Sequence, residues 1–305
     1  MSSGLSEFNR YTRRVSEPRA DNVAADKERS ITDVVQGDLG TVVSLWRYPV
    51  KSMMGEELNA SEVTGLGLLG DRAYAVVDSA DGKAASAKNP RKWPTLFDFR
   101  AGITESERLA SSTHAVRITL PDGTIVSSDQ PDVNQILSKA FHREVTLRTA
   151  NGDALRSEGY WPDMNGLAHR NTISSFTMPE GTFFDSGIVH LLTTATLDRL
   201  RELYPQGRFE VRRFRPNVVV QLDSGESGFV ENAWVGRTLA IGANVRMNVT
   251  AQCGRCVMTT LAQGDLPKDT GILRTLAEHN HANVGVYAAV MCGGTIRRGD
   301  RIRLE

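Results

Sequence analysis

Residues 1–37 carry no periodic apolar pattern and are crowded with Arg, Ser, Asp and Glu. Such a stretch has too little apolar surface to order itself, so it reads as a disordered or loosely attached tail. From Gly37 the chain changes to short runs of β-formers punctuated by glycine. Residues 41–46 and 73–77 read as strands. Residues 116–120 and 124–127 read as a hairpin, because Asp122-Gly123 supplies the positive φ of a tight turn. Residues 132–141 show the first helical pattern, with Asp132 as cap and Val133, Ile136, Leu137 and Ala140 on one face. Residues 144–149 then alternate like a strand, closing a small, mostly β unit near residue 150.

Regular pattern fades over residues 151–181, which hold prolines and glycines and read as a linker between domains or over a site. Beyond it, 188–193 reads as a strand and 194–204 as an amphipathic helix with Leu197, Leu200 and Leu203 or Tyr204 on one side. Residues 214–222 form an apolar strand entered through an Arg-Pro-Asn corner, and 238–250 gives two strands across residues 242–244. Residues 269–279 read as a helix, 284–291 as a strand, and 294–304 as strand, turn and strand. Many short strands with a few short helices predict an α+β, mostly β or barrel-like architecture rather than a doubly wound parallel sheet. No G-x-G-x-x-G or Walker pattern argues otherwise.

Composition narrows the function classes. The chain has 305 residues, 40% hydrophobic and 24% charged, which fits a globular protein of one large or two medium domains. Its 36 basic and 36 acidic side chains cancel, leaving no electrostatic footprint for nucleic acid or an anionic membrane surface. No run approaches the roughly 18 apolar residues of a membrane span, and the N-terminus lacks the apolar region of a secretory signal. Three cysteines fit a reducing cytoplasm and metal-binding or catalytic thiols better than a disulfide framework.

Two of those cysteines stand three apart in Cys253-Gly-Arg-Cys256, flanked by β-formers at 248–250 and 257–260. The stretch reads as a reactive or metal-binding thiol at a sheet edge. Structural zinc would need Cys253, Cys256 and Cys292 with His279 or His281, but no second tight pair accompanies the first. A thioredoxin-like pair would sit where a strand enters a helix, and the strand-like 257–260 opposes that. Two small buried core residues are a further reading, which Arg255 opposes because a guanidinium beside a thiol favours thiolate. Lys51, Ser52 and Arg72, close to glycines, offer an anion a point charge, a hydroxyl and a bidentate fork. Arg215 and Asn217, fixed around Pro216, could present donors to a polar ligand or be a surface arginine and a turn asparagine.

The ordered set Tyr48-Pro-Val-Lys-Ser52, Gly70-Asp-Arg72, Asp185-Ser-Gly-Ile-Val-His-Leu-Leu-Thr-Thr194, Arg213-Phe-Arg-Pro-Asn217, Cys253-Gly-Arg-Cys-Val-Met-Thr-Thr260 and Gly294-Thr-Ile-Arg-Arg-Gly-Asp300 resembles the MOSC-domain proteins with an N-terminal MOSC β-barrel domain. These are relatives of the mitochondrial amidoxime-reducing component and of the molybdenum cofactor sulfurase C-terminal domain. The resemblance covers roughly residues 38–305. It implies a tail at 1–37, an N-terminal β-barrel-like domain at 38–150, a linker at 151–181 and a MOSC β-barrel domain with short helices at 182–305. It further implies a molybdenum cofactor (Mo-molybdopterin) between the two domains. Cys256 matches the thiolate ligand of molybdenum, a soft donor suited to a metal already held by dithiolene sulfurs. Lys51, Ser52, Arg72, Ser186, Arg215, Asn217 and Arg255 match cofactor-binding positions: Lys51, Arg72 and Arg215 for the pterin phosphate, Asn217 for the pterin. Cys253 receives no ligand role.

The implied activity is reduction of N-hydroxylated small molecules, or related oxygen-atom transfer, with Cys256 as the catalytic ligand. Three cysteines are too few for a Cys₄ cluster, so a separate electron-transfer protein is expected, a flavoprotein or a small iron–sulfur or haem protein. The other class is a cofactor-binding or sulfur-carrier protein with a persulfide on Cys256 or Cys253. The basic residues favour a retained cofactor, because a relay thiol needs no phosphate clamp.

Overall fold

The protein is described by a computed structural model over residues 38–104, 114–150, 154–161 and 171–305. The expected tail at 1–37 lies outside these residues. Residues 38–305 form one compact unit, mostly β with four helices among the described residues.

Seven strands close into a barrel: β1 Gly40–Arg47, β2 Val189–Thr193, β3 Val218–Leu222, β4 Thr238–Ile241, β5 Val245–Gly254, β6 Asn283–Cys292 and β7 Arg301–Leu304. Their order is β3-β2-β6-β5-β4-β7-β1, and β1 returns to pair with β3. Neighbours run antiparallel except β2 and β3, which are parallel. Closure removes the unpaired edges that an open sheet exposes. The interior is aliphatic, with Val42, Leu45, Val189, Leu191, Val218, Val220, Leu239, Ile241, Met247, Val249, Val286 and Ile302 all buried. On β5 the alternation buries Val245, Met247, Val249 and, at its far end, Cys253.

Although β1 lies in the stretch expected to open the first domain, it is a stave of the barrel, hydrogen-bonded to β3 on one side and β7 on the other. The remaining first segment folds into smaller sheets. Tyr74–Asp78 pairs with Val145–Thr149, and Arg100–Ile103, Val116–Thr119 and Ile125–Ser127 make a three-stranded meander. Helix α1, Val133–Phe141, lays Val133 and Leu137 onto this second core; Asp132 precedes it without a side-chain cap bond. Gly294–Arg297 reaches back to pair with Ala60–Thr64. Helix α2, Thr194–Leu203, and the single turn α3, Val211–Phe214, carry the crossover from β2 to β3; α4 spans Thr270–Asn280. Thr193 caps α2 through Thr196 N, and Asp269 caps α4 through Gly271 N.

Two expectations are corrected. The supposed linker contains a hairpin, Arg156–Trp161 with Thr172–Thr177. Its second strand is exposed along most of its length, so no apolar alternation announces it. Residues Val257–Thr260 form a 3₁₀ turn with Cys256 at its N-cap position, not a strand. The β-branched composition misleads because the threonine hydroxyls serve the turn. Thr259 Oγ1 donates to Cys256 O at 3.0 Å and Thr260 Oγ1 to Val257 O at 2.8 Å.

No helix among the described residues is long and apolar enough to cross a membrane. Because Leu45 of β1 is wholly buried in the barrel, Leu45→Ala is expected to lower unfolding free energy by about 2–5 kcal/mol in a urea titration. A loss below about 0.5 kcal/mol, the size of a surface change, would contradict the place of β1 in the barrel.

Candidate functional site

The chain leaves β1 through Tyr48-Pro-Val-Lys-Ser52, and the buried carboxylate of Asp71 receives it. Asp71 Oδ1 accepts from Tyr48 N at 2.7 Å, while Oδ2 accepts from Asn217 Nδ2 at 2.9 Å and pairs with Arg72. Arg72 N in turn donates to Tyr48 O at 2.9 Å, and Lys51 N to Tyr74 O at 2.8 Å. Three motifs far apart in sequence thus meet on one acid. Asn217 is spent on this frame: Nδ2 also reaches Trp46 O at 3.2 Å, and Oδ1 accepts from His190 N at 3.1 Å. Both of its amide hydrogens go to protein acceptors, so in this structure the amide is a strut between β1, β2 and Asp71.

Among the described residues, five cations stand around the frame, Lys51, Arg72, Lys88, Arg215 and Arg255, with the carboxylates Asp71 and Asp185 among them. Tyr48 takes two guanidinium groups over its ring, Arg215 at 4.2 Å and Arg72 at 4.6 Å from the centroid. Arg215 also donates to Met53 O. Burial, aided by Arg72, pushes Arg215 down to about 9. Lys51 is buried, donates to Phe183 O at 3.1 Å and pairs with Asp185; Lys88 Nζ lies 3.0 Å from the other oxygen of Asp185. Burial works against the charge of Asp185, but Lys51 and Lys88 outweigh it and hold the carboxyl well below the usual range. Ser52 Oγ accepts from Ala87 N at 3.1 Å, joining the Lys51 loop to the segment that carries Lys88.

Ser52, Arg72 and Arg215 have φ of 64°, 50° and 53°. The left-handed region costs a non-glycine residue roughly 1–2 kcal/mol, so these three predicted ligand positions carry local strain, as do His142, Asn171, His281 and Ala282 elsewhere.

The two thiols of the motif part company. Cys253 is fully buried, with Arg255 Nη1 donating to its sulfur at 2.8 Å. Cys256 is half-buried and packs against the second core beside Met258 and Leu261. Lys88 lies close to it; burial lowers Lys88, but Asp185 outweighs burial and keeps the ammonium charged. Ser186, next to Asp185, is exposed. Cys292 is exposed at the opposite end of β6 from Asn283, the partner of Gly254. Nine residues of strand span roughly 30 Å, so the zinc set fails. Among the described residues no group of three or more His, Cys, Asp or Glu could hold a metal ion.

The structure therefore gathers Lys51, Ser52, Arg72, Arg215, Arg255 and the two thiols, with Asn217 as the strut behind them. It adds Tyr48, Asp71, Lys88 and Asp185, whose roles depend on partners far along the chain. Arg213 is likewise unheralded: fully buried, it donates to Thr259 O at 3.3 Å, Leu261 O at 3.1 Å and Pro267 O at 2.8 Å, stapling the loop after Cys256.

Asp185 tests the charge balance. With its folded value depressed, its stabilisation is fully present above the ordinary carboxylate value, about 3.9, and is lost as pH falls below it. At neutral pH, Asp185→Asn is expected to cost on the order of 3 kcal/mol, because two lysines lose their counter-ion. Added pyrophosphate should restore most of the thermal midpoint of the variant. A variant as stable as the parent, or indifferent to the anion, would contradict a cation surplus here.

The MOSC domain family matches residues 180–303, and the MOSC N-terminal beta barrel domain family matches residues 39–156. The mouse mitochondrial amidoxime-reducing component 1 is 26% identical over 87% of this chain and 82% of its own length. The bovine mitochondrial amidoxime reducing component 2 is 28% identical over 87% and 83%. The bovine molybdenum cofactor sulfurase is 25% identical over 84% of this chain but 31% of its own length. The two family matches run in the same order as the barrel-completing first segment and the thiol-bearing second one. The chain belongs to the MOSC-domain proteins with an N-terminal MOSC beta barrel domain.

Proposed function

We propose that the chain binds a molybdenum cofactor at this cation cluster and, with electrons from a separate protein, reduces N-hydroxylated small molecules or carries out a related oxygen-atom transfer. The observation that carries this reading is the surplus of positive charge beside the half-buried thiol of Cys256, with Lys51 and Arg215 buried and Arg72, Lys88 and Arg255 half-buried. Unpaired buried charge is costly, and an anionic cofactor would offset it. The donor set fits. Tyr48 Oη and Arg255 Nε are buried without a partner, in a protein where such groups are normally hydrogen-bonded. With no three-ligand cluster among the described residues, a metal at Cys256 would have to arrive already coordinated, as a dithiolene-bound metal does. The names of the relatives, amidoxime reduction and molybdenum cofactor, agree with this chemistry.

Lys51, Arg72 and Arg215 would hold the phosphate, and Cys256 would be the protein ligand to the metal. When bound, the cofactor supplies two-electron chemistry at oxygen. Ser52 and Asn217 shape the cradle through Ala87 N and Asp71. Burial raises the Tyr48 phenol well above its ordinary range, so it stays protonated and can donate to an anion. Lys88, kept charged by Asp185, carries a proton near Cys256 that a departing oxygen could take. Three free thiols cannot form a four-cysteine cluster and belong in a reducing compartment.

Protein made in a host that synthesises the cofactor should carry near-stoichiometric molybdenum with pterin fluorescence. Cys256→Ser should alter the molybdenum coordination, and Lys51→Met or Arg215→Gln should weaken cofactor retention by about tenfold or more, about 1.4 kcal/mol. Zinc without pterin would overturn the reading, and a persulfide on Cys256 without molybdenum would favour the sulfur carrier. Full turnover with substrate and NADH alone would overturn the need for a separate electron donor.

A further inference from the structure

Cys253 has no part in the chemistry above. It ends the inward-facing series of β5 and is fully buried, where a free thiol ordinarily behaves as a small apolar group. Its surroundings are not apolar. Arg255 Nη1 approaches its sulfur to 2.8 Å, as close as to an oxygen acceptor although sulfur is the larger atom. His190 from β2 and Tyr287 from β6 also face this sulfur and favour its ionised form.

The backbone makes room for both rings. A Cβ on Gly285, at φ +74°, would stand 2.4 Å from His190 Nε2 and 2.3 Å from Leu191 O, and one on Gly187 would stand 2.4 Å from the Tyr287 ring. His190 Nε2 lies 2.9 Å from Val284 O, an acceptor only, so that nitrogen carries a proton.

Arg255 needs a counter-charge. Nη2 donates to Phe214 O at 2.8 Å and its backbone N to Ala282 O at 2.7 Å, but Nε is buried without a partner. The groups that favour its charge are Cys253 first, then Tyr287 and Cys256. Burial pushes the Cys253 thiol up, yet Arg255 and His190 outweigh burial and hold it at about 6. A buried guanidinium stripped of its partner is strongly destabilising, and Arg255 immediately precedes Cys256.

We infer that Cys253 is a positioning residue: its thiolate pins the Arg255 guanidinium and so holds the turn from which Cys256 is presented. The purpose of that turn rests on the proposed role of Cys256, but the pairing requires no metal. It also means that Arg255 is committed to Cys253 and Phe214 O through both terminal nitrogens, which leaves phosphate binding to Lys51, Arg72 and Arg215.

The test uses the full-length chain without cofactor. With Cys256→Ser and Cys292→Ser, Cys253 is the sole thiol. Its ultraviolet thiolate absorbance should be present at neutral pH and lost on adding Arg255→Met; a protonated thiol beside an intact Arg255 overturns the inference. In a Cys292→Ser chain, the alkylation rate of Cys256 by iodoacetamide, followed by mass spectrometry, should change at least about fivefold in Cys253→Ala and return towards the parent in Cys253→Asp, which restores the charge. An unchanged rate overturns the positioning role. Should Cys253→Ala be poorly folded, the pair Cys253→Ala and Arg255→Met decides. Their losses in thermal stability should be less than additive, since the double variant leaves no charge unpaired; additive losses overturn the pairing. None of these readouts depends on molybdenum, so a failed metal analysis would remove the proposed function and leave this inference standing, and the reverse.

Discussion

Asp71 is buried, and burying a carboxylate is tolerable only when its oxygens are matched. Its partners are Tyr48 N, the Arg72 guanidinium and the Asn217 amide. Tyr48 lies 23 residues away and Asn217 146 residues away. The first partner fixes the exit of β1, the second orients an arginine over the Tyr48 ring, and the third ties both to β2 and β3. Lys51, Arg72, Lys88 and Arg215 take their positions from this frame or from Asp185, the second acid, whose two oxygens bridge Lys51 and Lys88; Arg255 is held by Cys253 and Phe214 O.

Barrel closure places that frame. Because β1 fills the gap between β3 and β7, the Tyr48–Ser52 loop leaves from the barrel itself, and Lys51 and Ser52 become as firmly held as any core strand end. Cys256 comes from the opposite direction, at the end of β5, and packs into the core built by the first segment. Cation and thiol therefore come from different parts of the chain but share one compact unit. The left-handed backbone at Ser52, Arg72 and Arg215 and the unmatched positive charge both cost stability locally, which the two aliphatic cores must offset. Such local costs mark sites shaped for a ligand rather than for stability.

Much of this was legible in residue order. Period-two alternation located most strands, and an apolar stripe of helical period located the helices at 132–141, 194–204 and 269–279, because each buries one face on an aliphatic core. Lys51, Arg72 and Arg215 were visible as loop-borne cations next to glycine or proline. What stayed hidden were relations rather than residues. Lys88 and Asp185, far apart in sequence, look like ordinary surface charges until the fold pairs them beside Cys256 and Lys51. Asn217 looks like a ligand donor, and only its three side-chain hydrogen bonds reveal a strut. Val257–Thr260 resembles a strand in composition, since nothing local announces that its threonine hydroxyls will close a 3₁₀ turn. Arg255 sits beside Cys256 in sequence, yet its guanidinium reaches back to Cys253.

The central claim is that one buried frame sets a cation cluster and a single half-buried thiol around the same anionic, metal-bearing ligand. Anomalous diffraction at the molybdenum edge, from crystals of protein made in a cofactor-producing host, tests it most directly. The account predicts one strong peak at bonding distance from Cys256 Sγ, with a phosphate group among Lys51, Arg72 and Arg215. A peak at Cys253, or a metal with no phosphate density at those three side chains, would contradict it.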